Sequence, residues 1–575
     1  MNEPGALALN TGGVHPPVPG LVQYEERLQA LALWAAVVLG ALFIVLPVAA
    51  LLGRSAFDAQ GDYVGLANFE VWAATPALLD SALRSLRLSA LSALICVAIA
   101  YGCAWSLTMS CMPAKGAVRA LLLVPLLAPS LLMAISLIYL FGNQGLLKAW
   151  MGEGSIYGEM GIVIGSVLWT LPHALLILVT SMSTIDARLY EAAETLGASA
   201  WRRFTSVTLP ASRYGLAMAL VVVFVLVLTD FGVPKVVGGQ AQVLATDIYK
   251  QVIGQQNFQM GAVVGVVLLL PALLAFFVER HLRTRQAAAL GVRAVAYSPR
   301  PQALRDGLAL AGCSVVALVL LAVIGVAVFA SLAQYWPYQL QPSLRNYRFD
   351  DMDGGGWASY GNSLMLAAGT AVLGAAATFA SAYLVDKPVH GRVARELLSL
   401  VAAVPLAVPG LVLGLGYILF FNHPANPLQG LYGTLAILVL CTVAHFFSVA
   451  HLTQLAALRQ LDREFEAVSA SLGVPFWRTV WRVHLPVCAP TVIDVAGYFF
   501  VNAMTTVSAV VFLYGPETTL ASVAVLNMDD AGDTAPAAAM AVLIFATAAA
   551  ARGALALLRA AVVRRTQGWR QREAA

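Results

Sequence analysis

The chain alternates long apolar runs with short polar segments. Several of the runs stay uncharged for about 20 residues, the length that an α-helix needs to cross the hydrocarbon of a bilayer. A helix also satisfies its own backbone hydrogen bonds, which lipid cannot do. The pattern predicts twelve membrane-spanning helices, at residues 30–52, 82–106, 118–142, 161–182, 213–232, 258–279, 308–331, 362–385, 396–420, 431–455, 489–512 and 535–559.

Two polar islands interrupt the apolar runs, one in each half of the chain. The first island reads EAAETLGASAWRRFTSVTLP at 191–210, and the second reads EAVSASLGVPFWRTVWRVHLP at 466–486. A shift of 276 residues superposes Asp186 on Asp462, Leu196 on Leu472, Gly197 on Gly473, Trp201 on Trp477, Leu209 on Leu485 and Pro210 on Pro486. Internal repeats of this kind mark the symmetry of a transport pathway. The sequence therefore predicts two six-span repeats, and because six is even the repeats are parallel.

Composition and charge indicate the class and the orientation. The 575 residues are 60% hydrophobic and 11% charged, whereas soluble domains average about a quarter charged residues. With the N-terminus inside, 25 of the 34 Lys and Arg residues fall in cytoplasmic segments, 8 on the outer side and one, Arg552, within a span. Short cytoplasmic loops retain Lys and Arg, so we expect an inner-membrane protein with both termini and both islands in the cytoplasm. The expected organisation is a cytoplasmic leader (1–29), a first membrane half (30–279), a basic cytoplasmic linker (280–307), a second membrane half (308–560) and a cytoplasmic tail (561–575).

Each island has the pattern of a short helix, a sharp bend and a second short helix. Leu189, Ala192, Ala193 and Leu196 follow the i, i+3, i+4, i+7 spacing of one helix face, and Gly197 suits the left-handed conformation that ends a helix. Such a helix pair could lie in the lipid headgroup layer, but interfacial helices usually show a broad apolar face and a Lys-rich polar face. A narrow face of small residues instead favours a groove on a partner protein. Two islands imply a partner with two grooves.

The motif in the islands resembles the EAA loop of ABC importer permeases. Glu191, Ala192 and Ala193 are followed by Gly197 and by a Leu-Pro pair that ends thirteen positions later. In the second island the acid lies one position early, at Glu466. The resemblance implies that each island docks into a cleft on one of two ATPase subunits. The residues it assigns to docking are Glu191, Ala192, Ala193, Leu196, Gly197, Trp201, Glu466, Val468, Leu472, Gly473 and Trp477.

The resemblance extends over nearly the whole chain. The six-plus-six arrangement is similar to the fused permeases of the ferric-iron, thiamine and phosphonate importers. More narrowly, DFGVPKVVGG at 230–239 and the segment at 244–272 look like 2-aminoethylphosphonate permeases. The resemblance implies an all-α, type I ABC importer (MetI-like) permease fold. It also implies a periplasmic solute-binding protein as partner, and a phosphonate as solute, with ferric iron or thiamine as the alternatives.

The sequence contains no nucleotide-binding or metal-binding motif. A phosphate-binding P-loop needs glycine before its lysine, and the five lysines follow Ala, Leu, Pro, Tyr and Asp. ATP and magnesium are therefore expected on a partner subunit, and this chain is predicted to be no enzyme and to hold no cofactor. Histidine and cysteine spacings give no metal site, and no nucleic-acid partner is expected.

Polar residues inside membrane spans are candidates for the solute pathway, because burying them in lipid is costly. Two clusters stand out near the ends of the fifth and eleventh spans, and Asp230 in the first of them could instead be solvated or pair with Lys235. An ion-coupled secondary transporter is the alternative class, but such proteins tend to carry paired charges at mid-membrane. The candidate pathway residues are Thr229, Asp230, Asn502, Thr505, Thr506 and Ser508.

Two proline pairs stand in equivalent runs, VPLLAP at 124–129 and VPLAVP at 404–409. Proline lacks the backbone N–H that continues a helix, so each pair predicts a break early in its span. The breaks either allow movement or only shape static packing, and the sequence leaves both readings open.

Overall fold

The computed structural model describes residues 19–58, 60–289, 295, 297–387, 391–462 and 464–566, with backbone alone at 19–23, 286–289 and 470. The described chain is almost entirely helical, with one antiparallel hairpin of β1 (Ala333–Tyr335) and β2 (Gln339–Pro342). Residues 1–18 and 567–575, within the predicted leader and tail, lie outside the described part, as do 290–294 and 296 of the predicted linker.

Thirteen helices make up the first half of the described chain. They are α1 (Pro19–Gly40), α2 (Leu46–Ser55), α3 (Ala67–Ala74), α4 (Pro76–Met109), α5 (Lys115–Leu123), α6 (Ser130–Phe141), α7 (Glu159–Ser183), α8 (Ala187–Thr195), α9 (Ala200–Arg203), α10 (Leu209–Thr229), α11 (Gly232–Val237), α12 (Leu244–Tyr249) and α13 (Phe258–Ala289). A π-helical turn at Ala41–Val45 joins α1 to α2, so the helix of the first span already begins at Pro19.

Ten helices follow in the second half of the described chain. They are α14 (Ala303–Leu332), α15 (Gly356–Asp386), α16 (Arg392–Ala403), α17 (Gly410–Phe421), α18 (Leu435–Arg459), α19 (Glu464–Ser471), α20 (Phe476–Thr479), α21 (Leu485–Thr505), α22 (Ala521–Asp530) and α23 (Thr534–Thr566). The eleventh span was predicted to run to residue 512, but α21 ends at Thr505 because the chain continues in extended and turn conformations.

The predicted membrane helices are present. Within the described residues, ten helices are long and apolar enough to cross a bilayer, and two further pairs are bent, α5 with α6 by 99° and α16 with α17 by 113°. If each bent pair counts as one span, the number is twelve, in the predicted order. The prediction of an all-α membrane protein with two six-helix repeats is confirmed.

The repeat is visible in the helix boundaries. Helices α7 and α18 begin 276 residues apart and end 276 residues apart, as do α10 and α21. Even the π-helical turns at Phe204–Thr208 and Val480–His484, which lead from the islands into α10 and α21, obey the same shift. The two repeats therefore share local geometry as well as sequence pattern.

The two bends lie at the proline pairs. Short 3₁₀ turns at Val124–Leu127 and Val404–Leu406 replace the α-helix, and α6 and α17 begin directly after Pro129 and Pro409. A proline removes a backbone donor and pushes the residue before it away from the helical region. The predicted breaks are confirmed, whereas movement at them remains a proposal.

The first span of each half packs against the other half. Helix α2 lies on α17, where Tyr417 donates a hydrogen bond of 2.6 Å to the Phe43 carbonyl oxygen. A Cβ added at Gly416 would stand 2.5 Å from the Pro47 carbonyl oxygen, so only glycine allows this approach. Helix α14 in turn packs on α4, α5 and α6 of the first half. The halves are thus interlocked around a shared core.

Candidate docking surface and membrane cavity

With the bent pair α16 and α17 counted as one span, six spans separate the islands, so both lie at the same end of the helix bundle, which we call the island face. In the first island, the Asp186 carboxylate accepts a hydrogen bond of 3.1 Å from the Arg188 backbone and caps α8. Gly197 has a φ of +69° and Gly473 a φ of +63°. The Ala198 N–H then reaches back 2.9 Å to the Ala193 carbonyl oxygen. This is the glycine-terminated helix end that the sequence predicts at each island.

The apolar face of the first island points into open space. Leu189, Leu196 and Trp201 are exposed, Leu196 at 85% of its surface and Trp201 at 73%. The side of α8 that packs on the protein carries Ala187 and Tyr190 instead. Large apolar side chains this exposed, grouped on one helical element, mark a contact surface for another molecule.

The second island repeats this arrangement with larger side chains. Phe465, Val468, Leu472 and Trp481 are exposed, Leu472 at 67%. Nine of the eleven residues assigned to docking are exposed, namely Glu191, Ala192, Leu196, Gly197, Trp201, Val468, Leu472, Gly473 and Trp477. Ala193 and Glu466 are half-buried.

The first island is held to the bundle by neutral groups and by the linker between the halves, where an exposed ion pair of 3.3 Å joins Arg300 to Glu194. The Tyr190 hydroxyl lies 2.7 Å from the Thr208 hydroxyl, and the Tyr190 ring stacks on Tyr297 with centroids 4.2 Å apart. The Ala187 N–H donates to the Val295 carbonyl oxygen at 2.8 Å. Sequence reasoning missed Tyr297 because the linker has no periodic pattern that would indicate a contact.

The second island is held by charged groups. One Glu466 carboxylate oxygen lies 3.0 Å from the Lys387 ammonium and 2.9 Å from Nε2 of His484. Burial raises the Glu466 pKa, but the hydrogen bonds from Lys387 and His484 outweigh burial, so the pKa is lowered from its ordinary value. Under the 276-residue shift, Glu466 replaces Tyr190 and His484 replaces Thr208. The residue at the place of Glu191 is Ala467, which is exposed.

A cavity of about 310 Å³ lies between the two halves. Its wall combines the ends of α10 and α21, both proline breaks and the middle of α7 and α18. The structure brings all six candidate pathway residues to this wall, Thr229, Asp230, Asn502, Thr505, Thr506 and Ser508. The wall also contains polar and aromatic residues that the sequence did not single out, Ser130, Trp169, His173, His445 and Tyr498.

Asp230 carries the formal negative charge of the cavity wall. Its carboxylate accepts hydrogen bonds of 2.9 Å from the Ser130 hydroxyl and from the Val233 N–H, so it also caps α11. Among the described lining residues there is no Lys or Arg. The alternative pairing of Asp230 with Lys235 is wrong, because the Lys235 ammonium lies 2.9 Å from Asp530.

The ion pair of Lys235 and Asp530 joins the halves on the side of the cavity away from the islands. Lys235 belongs to α11 and Asp530 ends α22. The neighbouring Asp529 has a pKa raised to about 6 by burial and by the Asp530 charge. The pair therefore ties together the two short helices that follow α10 and α21.

In the described part of the chain, no three His, Cys, Asp or Glu side chains come together as a metal site. Five of the six cysteines are buried and Cys111 is half-buried, and none forms a disulfide. They pack as small apolar side chains. The candidate functional features of the described residues are therefore the exposed surfaces of the islands and the cavity between the halves.

Comparison with known proteins gives the class. Residues 74–287 and 377–564 match the family described as binding-protein-dependent transport system inner membrane component. The two matched segments cover both repeats, and the chain belongs to this family. Its members are non-catalytic membrane permease subunits of ABC transporters.

Three individual relatives show which transport proteins the chain is similar to. The chain is 28% identical over 426 residues to the ferric transport system permease protein FbpB of Actinobacillus pleuropneumoniae, covering 72% of this chain and 61% of that protein. It is 28% identical over 411 residues to FbpB 1 of Haemophilus influenzae, covering 69% and 64%. It is 29% identical over 160 residues to PhnV of Salmonella paratyphi A, named for 2-aminoethylphosphonate transport, covering 27% and 58%. The chain thus spans less than two thirds of the length of the ferric permeases.

The matches confirm the broader expectation and do not confirm the narrower one. The similarity to fused importer permeases is confirmed, but the phosphonate relative covers only 27% of the chain, against 72% for the ferric relative. The resemblance to phosphonate permeases rests on the short segments at 230–239 and 244–272, which weigh less than similarity over both halves.

Proposed function

We propose that the chain is the membrane permease of a binding-protein-dependent ABC importer, with the island face in the cytoplasm. The arginines of both islands and the Lys and Arg distribution support this orientation. The exposed apolar residues of α8 and α19 then face two ATPase subunits, and a periplasmic binding protein delivers the solute to the opposite face. The family match carries this proposal, and it leaves the ion-coupled alternative without support.

We propose ferric iron as the solute, in preference to 2-aminoethylphosphonate. The two ferric relatives match over 72% and 69% of this chain. The cavity supports the same choice, because the described lining residues include no Lys or Arg that would balance the charge of a phosphonate group.

The proposed transport cycle is a switch between two packings of rigid parts. Closure of the ATPase subunits on ATP would push the islands, which are joined to α10 and α21 by continuous helix. Because packed interfaces change between discrete arrangements, the movement would separate the ends of α10 and α21 around the cavity. The Lys235–Asp530 pair would then open and admit solute from the periplasmic side.

Uptake measurements test the proposed function. A strain that lacks this permease but keeps the cognate ATPase and binding protein should regain ATP-dependent accumulation of labelled ferric iron when the chain is expressed. Labelled 2-aminoethylphosphonate and thiamine serve as competing solutes in parallel assays. Accumulation of phosphonate or thiamine without iron would overturn the ferric proposal, and accumulation that persists without the ATPase would overturn the ABC mechanism.

A further inference from the structure

The two islands are anchored to the bundle by different chemistry at equivalent positions. In the first half the anchor is a pair of hydroxyls, on Tyr190 and Thr208. In the second half it is a carboxylate, Glu466, held by an imidazole and an ammonium group. Sequence similarity in the islands hides this difference, because the acid of the second island lies only one position from the place that corresponds to Glu191.

The charged anchor holds the half-buried Glu466 carboxylate with two buried groups. The Lys387 side chain is 4% exposed, and besides Glu466 it lies 3.5 Å from Asp386. His484 is fully buried, and its ring lies 5.5 Å from that of Tyr383. Arg459 completes the network at 3.4 Å from Asp386. Helix α15 and the start of α21 therefore both hold Glu466, so the network spans two membrane helices and the island.

A short helix such as α19 depends on an anchor of this kind. It runs only from Glu464 to Ser471, and isolated helices of that length are unstable in water. Its apolar side chains Phe465, Val468 and Leu472 are exposed and contribute little packing within the chain. The Glu466 contacts therefore fix which side of α19 faces outward.

We propose that Lys387 and His484 are positioning residues, which hold Glu466 inward and so present Phe465, Val468 and Leu472 to the partner. Glu466 then faces the helix bundle and does not itself contact the ATPase. This inference rests on the proposed docking of an ATPase at the islands. It makes the two docking surfaces unequal: one rests on hydroxyls and the linker, and the other on buried charge.

The consequence of losing the anchor differs between the halves. Removing one member of a buried charged pair leaves the other charge without compensation, which is costly. Removing a hydroxyl from the neutral pair leaves only an unpaired hydroxyl, which costs less. The second island is therefore expected to be the more sensitive of the two to substitution at its anchor.

Hydrogen–deuterium exchange on the purified full chain, without ATPase, tests the positioning role directly. In Glu466→Ala and in Lys387→Met, amides of residues 464–473 should exchange about tenfold faster. The contacts of Glu466 no longer have to break when the helix opens locally, so the free energy of opening is lower. Glu466→Gln keeps a hydrogen-bonding side chain but loses the charge that compensates Lys387, so its exchange should lie between the native rate and that of Glu466→Ala. Glu464→Ala, an exposed acid on the same helix, is the matched control and should leave the rate unchanged.

Residues 187–196 of the first island should keep their native exchange rates in all four variants. Unchanged exchange at 464–473 in both Glu466→Ala and Lys387→Met would overturn the inference. A native chain that binds no ATPase, together with faster exchange in the variants, would overturn the docking proposal and leave the positioning role in place. Where the docking and the positioning role both hold, ATPase capture by Glu466→Ala should fall, and capture by Glu466→Gln should fall less.

Discussion

At the scale of single residues, the bend of each island depends on a glycine with positive φ. Gly197 and Gly473 end α8 and α19 in the left-handed region, and a Cβ added at either position would meet no atom within 4 Å. Space is therefore not the constraint. The constraint is the backbone conformation itself, which costs an ordinary side chain about 1–2 kcal/mol.

Two substitutions at Gly197 should separate the effect of its backbone conformation from the effect of side-chain size. Gly197→Val should reduce ATP-dependent uptake about tenfold, because a β-branched residue resists positive φ and straightens the island. Gly197→Asn should retain most of the uptake, because asparagine tolerates the left-handed region. Equal loss in both variants would show that side-chain bulk at the docking surface, and not the bend, is what matters.

The sequence predicted residues whose role follows from local pattern. The positive φ at Gly197 follows from a helix pattern that stops, and Asp230 was found as a charge near the end of an apolar span. Lys387 and Tyr297 were not found, because their contacts join segments far apart in the chain. His173 was not found, because the cavity that it lines forms only where distant segments meet. A lysine at the end of a span looks solvated in sequence, yet Lys387 is buried against Glu466.

At the scale of helices, close approach between α2 and α17 holds the halves together. Spans and proline breaks were predictable from hydropathy and proline chemistry, since both act within one segment. The contact of α17 with the first span was not predictable, because it depends on how the halves pack. Gly416 marks the point of closest approach, at the Pro47 carbonyl oxygen.

A matched pair of glycine substitutions tests this packing. Gly416→Ala should lower the thermal stability of the detergent-solubilised chain, since overpacking costs about 1–3 kcal/mol. Gly553→Ala, in α23, has no atom within 4 Å of the added Cβ and should leave stability unchanged or raise it, because alanine favours helix. Equal melting temperatures for the two variants would contradict the close approach.

At the scale of the whole molecule, the parallel repeats enclose the cavity that holds Asp230 and meet on the side of it away from the islands. The Lys235–Asp530 pair is the charged contact that joins α11 to α22 across the halves. Lys235 is mostly buried and Asp530 is half exposed, so solvent weakens the pair and a modest contribution to closure is expected.

Breaking this pair should loosen the closed state. Lys235→Met and Asp530→Asn should each raise ATP hydrolysis in the absence of solute, because a weaker contact lowers the free energy of opening. The charge exchange Lys235→Asp with Asp530→Lys should return hydrolysis toward the native level. Hydrolysis that rises as much in the exchange as in the single variants would argue against a closing role.

The central claim is that both islands face the cytoplasm and contact ATPase subunits. Photo-crosslinking in intact cells tests it, with a photoreactive residue placed at Leu196, at Leu472 or at Leu344, an exposed leucine in the loop at the opposite face. The account predicts adducts with the ATPase from positions 196 and 472 and none from 344. Adducts from neither island, or labelling of either island by a membrane-impermeant reagent added outside, would contradict it.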